Sequence, residues 1–216
     1  MDIYLEKYPE LKTFTLGKLI DHYNRYGKIE NRILPPSKKI TLITPCSRPE
    51  NIPVILESIN FEYIHEWIIV YDGMKVNGLL HLENPKIKEY IFTDPESIKG
   101  TSQRNFAMNL VNDGYIYFLD DDNIVHPKLY ILLHFIKDGH FYTYNQQRQR
   151  KILLGNKLKE YKIDTAMLLI DISLTKNILW ENNLTHDGEY ISKIYKIHPE
   201  KWIWINSILS YYNKLT

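Results

Sequence analysis

Residues 115–123 read YIYFLDDDN. Tyr115 to Leu119 has the length and the aromatic and β-branched content of a fully buried strand, and it runs directly into Asp120, Asp121 and Asp122. Like charges about 4 Å apart repel by roughly 1 kcal/mol in water and roughly 4 kcal/mol at an effective dielectric of 20. Three aspartates at the mouth of a buried strand therefore need a reason. A divalent cation is the simplest, because Mg2+ and Mn2+ take carboxylate oxygens, commonly one or two of them together with substrate phosphates. An acidic solvated turn is the plainer alternative.

Upstream, short apolar runs alternate with helical periods. Ile40 to Thr44 reads as a buried strand, and Ser47 with Glu50 three residues on has the spacing of a capping box ahead of a helix through Ile59. Trp67 to Tyr71 is a second run, ending at Asp72-Gly73, and Tyr90 to Thr93 a shorter third. Thr101 or Ser102 is placed to cap a helix through Phe106, Leu110 and Val111 that stops at Asn112-Asp113-Gly114. Strands separated by helices predict a mostly parallel sheet with helices on both faces, where ligands bind beyond the carboxyl ends of the strands. Beyond Asp122 the pattern is less regular. Phe141–Tyr144 and Ile152–Leu154 read as strands around the polar stretch 146–150, Ala166–Ile172 as another strand, and a last helix starts near Asp187 and ends by Lys196. Residues 1–38 read as a helical extension, with Leu11, Phe14, Leu19, Ile20 and Tyr23 at roughly helical spacing, Gly27 as a stop and Pro35-Pro36 as a break before a domain over 39–216.

The strand and its acidic end resemble the DxD site of nucleotide-sugar-dependent glycosyltransferases of the GT-A fold, and DDDN is similar to the family 43 glucuronyltransferases in particular. Ile40–Ser58, ITLITPCSRPENIPVILES, resembles the opening strand, Thr-Pro loop and helix of that family and of family 2. Trp67–Gly73, WIIVYDG, resembles the second strand with its base-recognising acid, and Gly100–Ala107, GTSQRNFA, the Gly-x-x-Gln-Arg-Asn-x-Ala segment. The resemblance covers about residues 40–125 in order. It implies an inverting transfer of sugar from a UDP-sugar donor to the hydroxyl of a glycan or other acceptor, with Mn2+ or Mg2+ as cofactor. By this likeness Asp122 is the metal ligand, and Thr44, Pro45, Ser47, Arg48, Asp72, Arg104, Asp120 and Asp121 bind the nucleotide. His198 is a second metal candidate, because many GT-A enzymes use a late histidine.

Chemistry adds its own reasons. A carboxylate at residue 72 can accept the imide N–H of uracil, although Asp-Gly is also a common turn pair. Arg104 offers a planar fork of donors for phosphate or carbonyl oxygens, or is a solvated helix-face arginine. Ser47 has a sufficient structural role as a cap. Cys46 reads as a small packed residue. An inverting transfer needs a general base for the acceptor hydroxyl, and THDGEYISKIYKI, residues 185–197, offers Asp187 and Glu189. In the related families the base begins a helix with apolar residues three, four and seven positions on. From Asp187 these are Tyr190, Ile191 and Ile194; from Glu189 they are Ser192, Lys193 and Lys196. Asp187 fits, where family 43 has glutamate, and Glu189 stands as the alternate. His126 ahead of Pro127 reads as the start of a helix, Trp180, Trp202 and Trp204 as core aromatics or sugar-stacking rings, and Arg148, Arg150 and Lys151 as a solvated loop.

Two rivals remain. Asp120-x-Asp122 at a strand end also matches a metal-dependent phosphohydrolase, but that nucleophile belongs on the first strand of its domain. A catalytically inactive nucleotide- or glycan-binding domain is the second. Sugar nucleotidyltransferases carry a Gly-rich, Arg-containing loop after the first strand, where this chain has TPCSRPEN.

Composition bounds the rest. With 27 Lys+Arg against 26 Asp+Glu the 216-residue chain has a formal charge of +1, leaving no excess to draw it onto nucleic acid or an anionic membrane. Hydrophobic residues at 44% and charged residues at 25% suit a globular domain with a real core. One cysteine rules out an intramolecular disulfide and a Cys-cluster zinc site. No apolar leader and no run of 18 apolar residues is present, which predicts a soluble cytoplasmic protein without a membrane span. The extension is expected either to dock on the domain or to mediate a homodimer.

Overall fold

The computed structural model describes residues 2–215. Its strands are β1 (Ile40–Cys46), β2 (Ile64–Asp72), β3 (Ile87–Phe92), β4 (Tyr115–Phe118), β5 (Phe141–Arg148), β6 (Lys151–Leu153), β7 (Leu168–Asp171) and β8 (Trp202–Tyr211). The helices are α1 (Asp2–Lys7), α2 (Leu16–His22), α3 (Ile52–Ser58), α4 (Thr101–Met108), α5 (Pro127–Leu132) and α6 (His186–Ile197). All strands form one sheet in the order β3-β2-β1-β4-β7-β5-β6, with β8 on the other edge of β5. The pairs β3–β2, β2–β1, β1–β4 and β5–β8 are parallel; β4–β7, β7–β5 and β5–β6 are antiparallel.

Side chains alternate across the sheet as the pleat requires. Trp67, Ile69 and Tyr71 of β2 and Tyr115 and Tyr117 of β4 face one core, which α3, α5 and the N-terminal helices complete with Ile52, Ile55, Leu129, Leu132, Tyr4, Leu19 and Ile20. Ile68, Val70, Ile116 and Phe118 face a second core completed by Ala107 and Met108 of α4 and Tyr190, Ile191 and Ile194 of α6. Strands buried on both faces are why their sequences are continuous apolar runs. The segment before Lys39 lies on the first core, and α2 approaches β8 closely enough that a Cβ on Gly17 would meet the Asn206 carbonyl oxygen at 2.9 Å. Among the described residues no helix is long and apolar enough to cross a membrane.

Several local expectations are corrected. Ser47 caps no helix; a 3-10 turn over Pro49–Asn51 leads into α3, which ends at Ser58. Ser47 is drawn instead to Asp121, 74 residues away. Helix α4 is entered from Gly100, at φ 77, where a Cβ would lie 2.6 Å from the Pro45 Cβ. Thr101 and Ser102 turn their hydroxyls to Asn182 and Asp94 rather than capping. The helix stops at Met108 with i→i+3 bonds tightening its end, which leaves Leu110 exposed. Residues 146–148 belong to β5 rather than to a loop, because Gln146 is fully buried and donates to Asp164 and to the Tyr211 carbonyl. Strand β8 went unread in the sequence. Its apolar pattern is broken at Asn206-Ser207, and the pairing with β5 skips both residues, passing from Tyr144↔Ile205 to Asn145↔Ile208. Trp202 and Trp204 donate their indole N–H groups to Thr143 and Asn145 along that strand, and Trp180 is buried against Tyr190 with ring centroids 3.9 Å apart. His126 caps the start of α5, its Nδ1 accepting from the Lys128 amide.

Candidate active site

Because β1, β2 and β4 are parallel, Cys46, Asp72 and the Asp120–Asp122 turn emerge at one edge of the sheet. That edge is a topological switch point: β1 has β2 on one side and β4 on the other, so successive connections diverge and leave a crevice. A cavity of about 560 Å3 opens there, within the range of small-molecule sites. It is lined by Pro45 near the end of β1 with Ser47 and Arg48 just after it, Asp72 at the end of β2, Arg104 of α4, all three aspartates after β4, and Asp187 at the start of α6. Residues read from sequence segments up to 142 positions apart, Pro45 and Asp187, thus line one cavity. Three candidates do not. Thr44 is fully buried beneath it, its Oγ1 accepting from Trp67 Nε1 at 2.9 Å. Glu189 accepts from Asn183 Nδ2 and Thr185 Oγ1 and lines no part of the cavity. His198 follows the last residue of α6, roughly 16 Å of helix from Asp187 at about 1.5 Å per residue.

The three consecutive aspartates have three different environments. Asp121 is 3% exposed and faces back into the loop after β1. Its Oδ2 accepts from the Ser47 amide at 2.6 Å, the Ser47 hydroxyl at 3.1 Å and the Arg48 amide at 2.8 Å, and its Oδ1 accepts from Arg48 Nε at 2.9 Å and from Nη2. Its backbone oxygen takes Asn51 Nδ2. A carboxylate so occupied ties the loop to the strand end. Asp121→Ala should lower unfolding stability by about 1–3 kcal/mol, the usual result of stranding buried donors, read as a fall in the urea midpoint; an unchanged midpoint would show that the loop holds itself. The neighbouring Cys46 thiol is pushed up to about 12 by burial and the Asp121 charge, so it is inert packing.

Asp120 Oδ1 accepts from Arg104 Nη2 at 2.5 Å. Arg104 is 3% exposed, donates Nη1 to the Lys99 carbonyl at 2.8 Å and lies 5.2 Å from the Trp180 ring. Its Nε is buried with no partner among the described residues. Asp122 turns Oδ1 to Asn123 Nδ2 and Oδ2 to Arg48 Nη2 at 2.9 Å. Asp72 accepts from the Met74 amide at 3.1 Å and faces Lys75 Nζ at 3.3 Å, so it also stabilises its own turn.

Among the further residues lining the cavity that sequence reasoning missed are Asp164, Arg148, Tyr212 and His186. Asp164 caps the short 3-10 turn ahead of β7, accepting from the Ala166 amide and Gln146 Nε2, with Arg148 Nη2 at 3.3 Å. Arg148, expected in a solvated loop, ends β5 and lies 4.0 Å from the Tyr212 ring. His186 is buried beside Asp187. Only Asp164 left a sequence signal, an acid two positions before an apolar strand candidate; the others depend on β8 and on the start of α6.

Asp120, Asp164 and Asp187 therefore compete for ionisation around one cavity. Burial raises Asp120, Arg104 partly opposing it while Asp187 and Asp122 add to it. Burial and then the charges of Asp187 and Asp120 push Asp164 up to about 7. Burial also works to raise Asp187, but the hydrogen bond from His186, the charges of Arg104 and His186 and the Thr165 hydroxyl outweigh it and hold the carboxyl below its usual value. Environments that push neighbouring carboxyls apart in this way mark one as the ionised group.

The donor set suits a hard cation. Its oxygens are carboxylates, and the Arg48 guanidinium on Asp122 already marks a position of negative potential. Among the described residues no three or more acids, histidines or cysteines form a complete metal cage, so a bound cation would share its shell with ligand phosphates.

No family model matches the sequence, and no curated protein matches it either. Solved structures do. S. aureus TarS 1-349 superimposes with a TM-score of 0.59 at 15% identity over 80% of this chain, which spans 60% of that one. Mannosyltransferase PcManGT from Pyrobaculum calidifontis, in complex with GDP-Man and Mn2+, gives 0.58 at 11% identity over 92% of this chain and 68% of that one. A mycobacterial protein gives 0.55 at 11% identity over 92% and 71%. Identities this low establish the architecture alone: a mixed α/β domain of GT-A type, its largely parallel sheet flanked by helices.

Proposed function

We propose that the protein is a metal-dependent glycosyltransferase that passes a sugar, with inversion, from a UDP-sugar to an acceptor hydroxyl. The observation that carries this reading is the meeting of Asp72, Arg104, Asp122 and Asp187, each on its own element, around one cavity at the carboxyl edge of the sheet. Asp72 takes the imide N–H of uracil, and Arg104 and Arg48 face the diphosphate. Asp122, together with the diphosphate oxygens, would hold Mn2+ or Mg2+, which would neutralise charge developing on the leaving group. His198, just past the end of α6, lines no part of the cavity and is left out of that ion's shell. Asp187 takes the proton of the acceptor hydroxyl as its oxygen attacks the anomeric carbon. The bond from that carbon to the diphosphate breaks, and UDP departs. Family 43 kinship is part of the same proposal. Likeness to a mannosyltransferase bound to GDP-Man and Mn2+ supports a nucleotide sugar and a divalent cation.

Base choice is tested by calorimetry with Mn2+ present. Cytosine offers an unprotonated N3 to Asp72, so UDP should bind more tightly than CDP by about 1–3 kcal/mol, the penalty for an unsatisfied polar pair; equal affinities would remove Asp72 from base recognition. A second reading, guanine in place of uracil, is favoured by the GDP-Man complex of the mannosyltransferase, because a carboxylate accepts the N1–H and N2–H of guanine equally well. GDP outbinding UDP would select it. UDP binding without turnover of any donor would select the inactive binding domain, and phosphate release from small phosphomonoesters the hydrolase.

A further inference from the structure

His186 is the first residue of α6 and only 4% exposed. Its Nδ1 lies 2.6 Å from the Asn183 carbonyl oxygen and its Nε2 lies 3.0 Å from Asp187 Oδ1. The Trp180 ring closes another side, with centroids 6.0 Å apart. A carbonyl oxygen only accepts, so Nδ1 must donate. An ionised carboxylate also only accepts, so both hydrogen bonds are made together only when Nε2 carries a proton too. The alternative proton arrangement, with the hydrogen on the Asp187 carboxyl, leaves a group that cannot take another from an acceptor. Asp187 Oδ1 also accepts from the Thr165 hydroxyl, whereas Oδ2 has no partner among the described residues.

We propose that His186 is the positioning residue of Asp187: it grips Oδ1, leaves Oδ2 to the cavity, and carries the second ring proton that keeps the carboxylate ionised. This rests on the reading of Asp187 as the base. The charged groups around the pair explain the need. Asp164, ahead of β7, and Asp120, after β4, repel an ionised Asp187 from two sides, and Arg104 of α4 attracts it from a third. Glu189, on the same turn of α6, is tied to Thr185 and Asn183. Burial works against ionisation of Asp187, and His186 joins Arg104 and the Thr165 hydroxyl in outweighing it. Its removal should therefore make Asp187 harder to ionise, so that more alkaline conditions are needed for the base to work.

His186→Gln keeps a donor but loses the charge. Against the wild type, the acidic limb of its pH–kcat profile is expected to move to higher pH, the rate recovering as pH rises, with donor affinity unchanged. A 13C carboxyl titration of Asp187 followed by NMR, which needs no turnover, should move the same way. A rate lowered by one factor at every pH, with the Asp187 titration unmoved, would overturn the proposal and leave a structural histidine. The parent reading fails separately: full transfer by Asp187→Asn removes the base and this inference with it, whereas a dead Asp187→Asn beside an unshifted His186→Gln removes the inference alone.

Discussion

Asp187→Asn is expected to lower sugar transfer by about 10²–10⁴-fold, the range for loss of a positioned general base, while donor affinity barely changes. The substitution preserves size, and an asparagine oxygen can still accept from Thr165 and His186 as Oδ1 does. What it removes is the capacity to hold the acceptor proton. Glu189→Gln should cost far less, since that side chain is spent on Asn183 and Thr185 and lines no part of the cavity. Steady-state kinetics with a saturating donor, beside donor binding by calorimetry, separates the two. If the Glu189 variant is dead and the Asp187 variant active, the base lies one helix face away and the assignment falls.

Asp122→Ala should abolish metal-supported UDP binding, and transfer with it, without unfolding the protein. Arg48 keeps its bonds to Asp121, and the Asp122 carbonyl, which accepts from the Leu215 amide at 2.9 Å, is untouched by a side-chain change. Removing one of several crowded carboxylates also relieves repulsion on Asp120. Calorimetry of UDP with Mn2+, repeated with excess chelator, reads the effect. Wild-type protein that binds UDP as tightly in chelator as in Mn2+ would sink the metal assignment, whatever the variant does.

The residues of the site were legible in unequal degree. Asp72 ends an apolar strand, Asp122 follows one and Arg104 lies in the first turn of a Gly-led helix, so the element that carries each also aims it. Asp187 was legible from helix phase, because Tyr190, Ile191 and Ile194 on the buried face fix which way the first turn points. Thr44 was misplaced: on a strand buried on both faces, its hydroxyl met the Trp67 indole below the cavity floor. Ser47 was misread because its spacing to Glu50 satisfied a local rule while a distant carboxylate offered it a stronger partner.

By itself, the sequence determined the elements and their order as far as β4, since hydrophobic period, strand length and turn residues act over a few neighbouring positions, but it left β8 unread. It also determined that acids crowd the carboxyl edge, because each follows its strand directly. Only the tertiary structure decided how those acids divide the work. Asp121 is consumed by Ser47 and Arg48, Asp120 is paired with Arg104, and Asp164 and the buried His186 meet Asp187 at the cavity. These partnerships bridge 16 to 74 positions or hinge on how deeply a helix start is buried. The energy of a carboxylate depends on the donors, charges and dielectric around it in space, and a local reading of the chain contains none of those quantities.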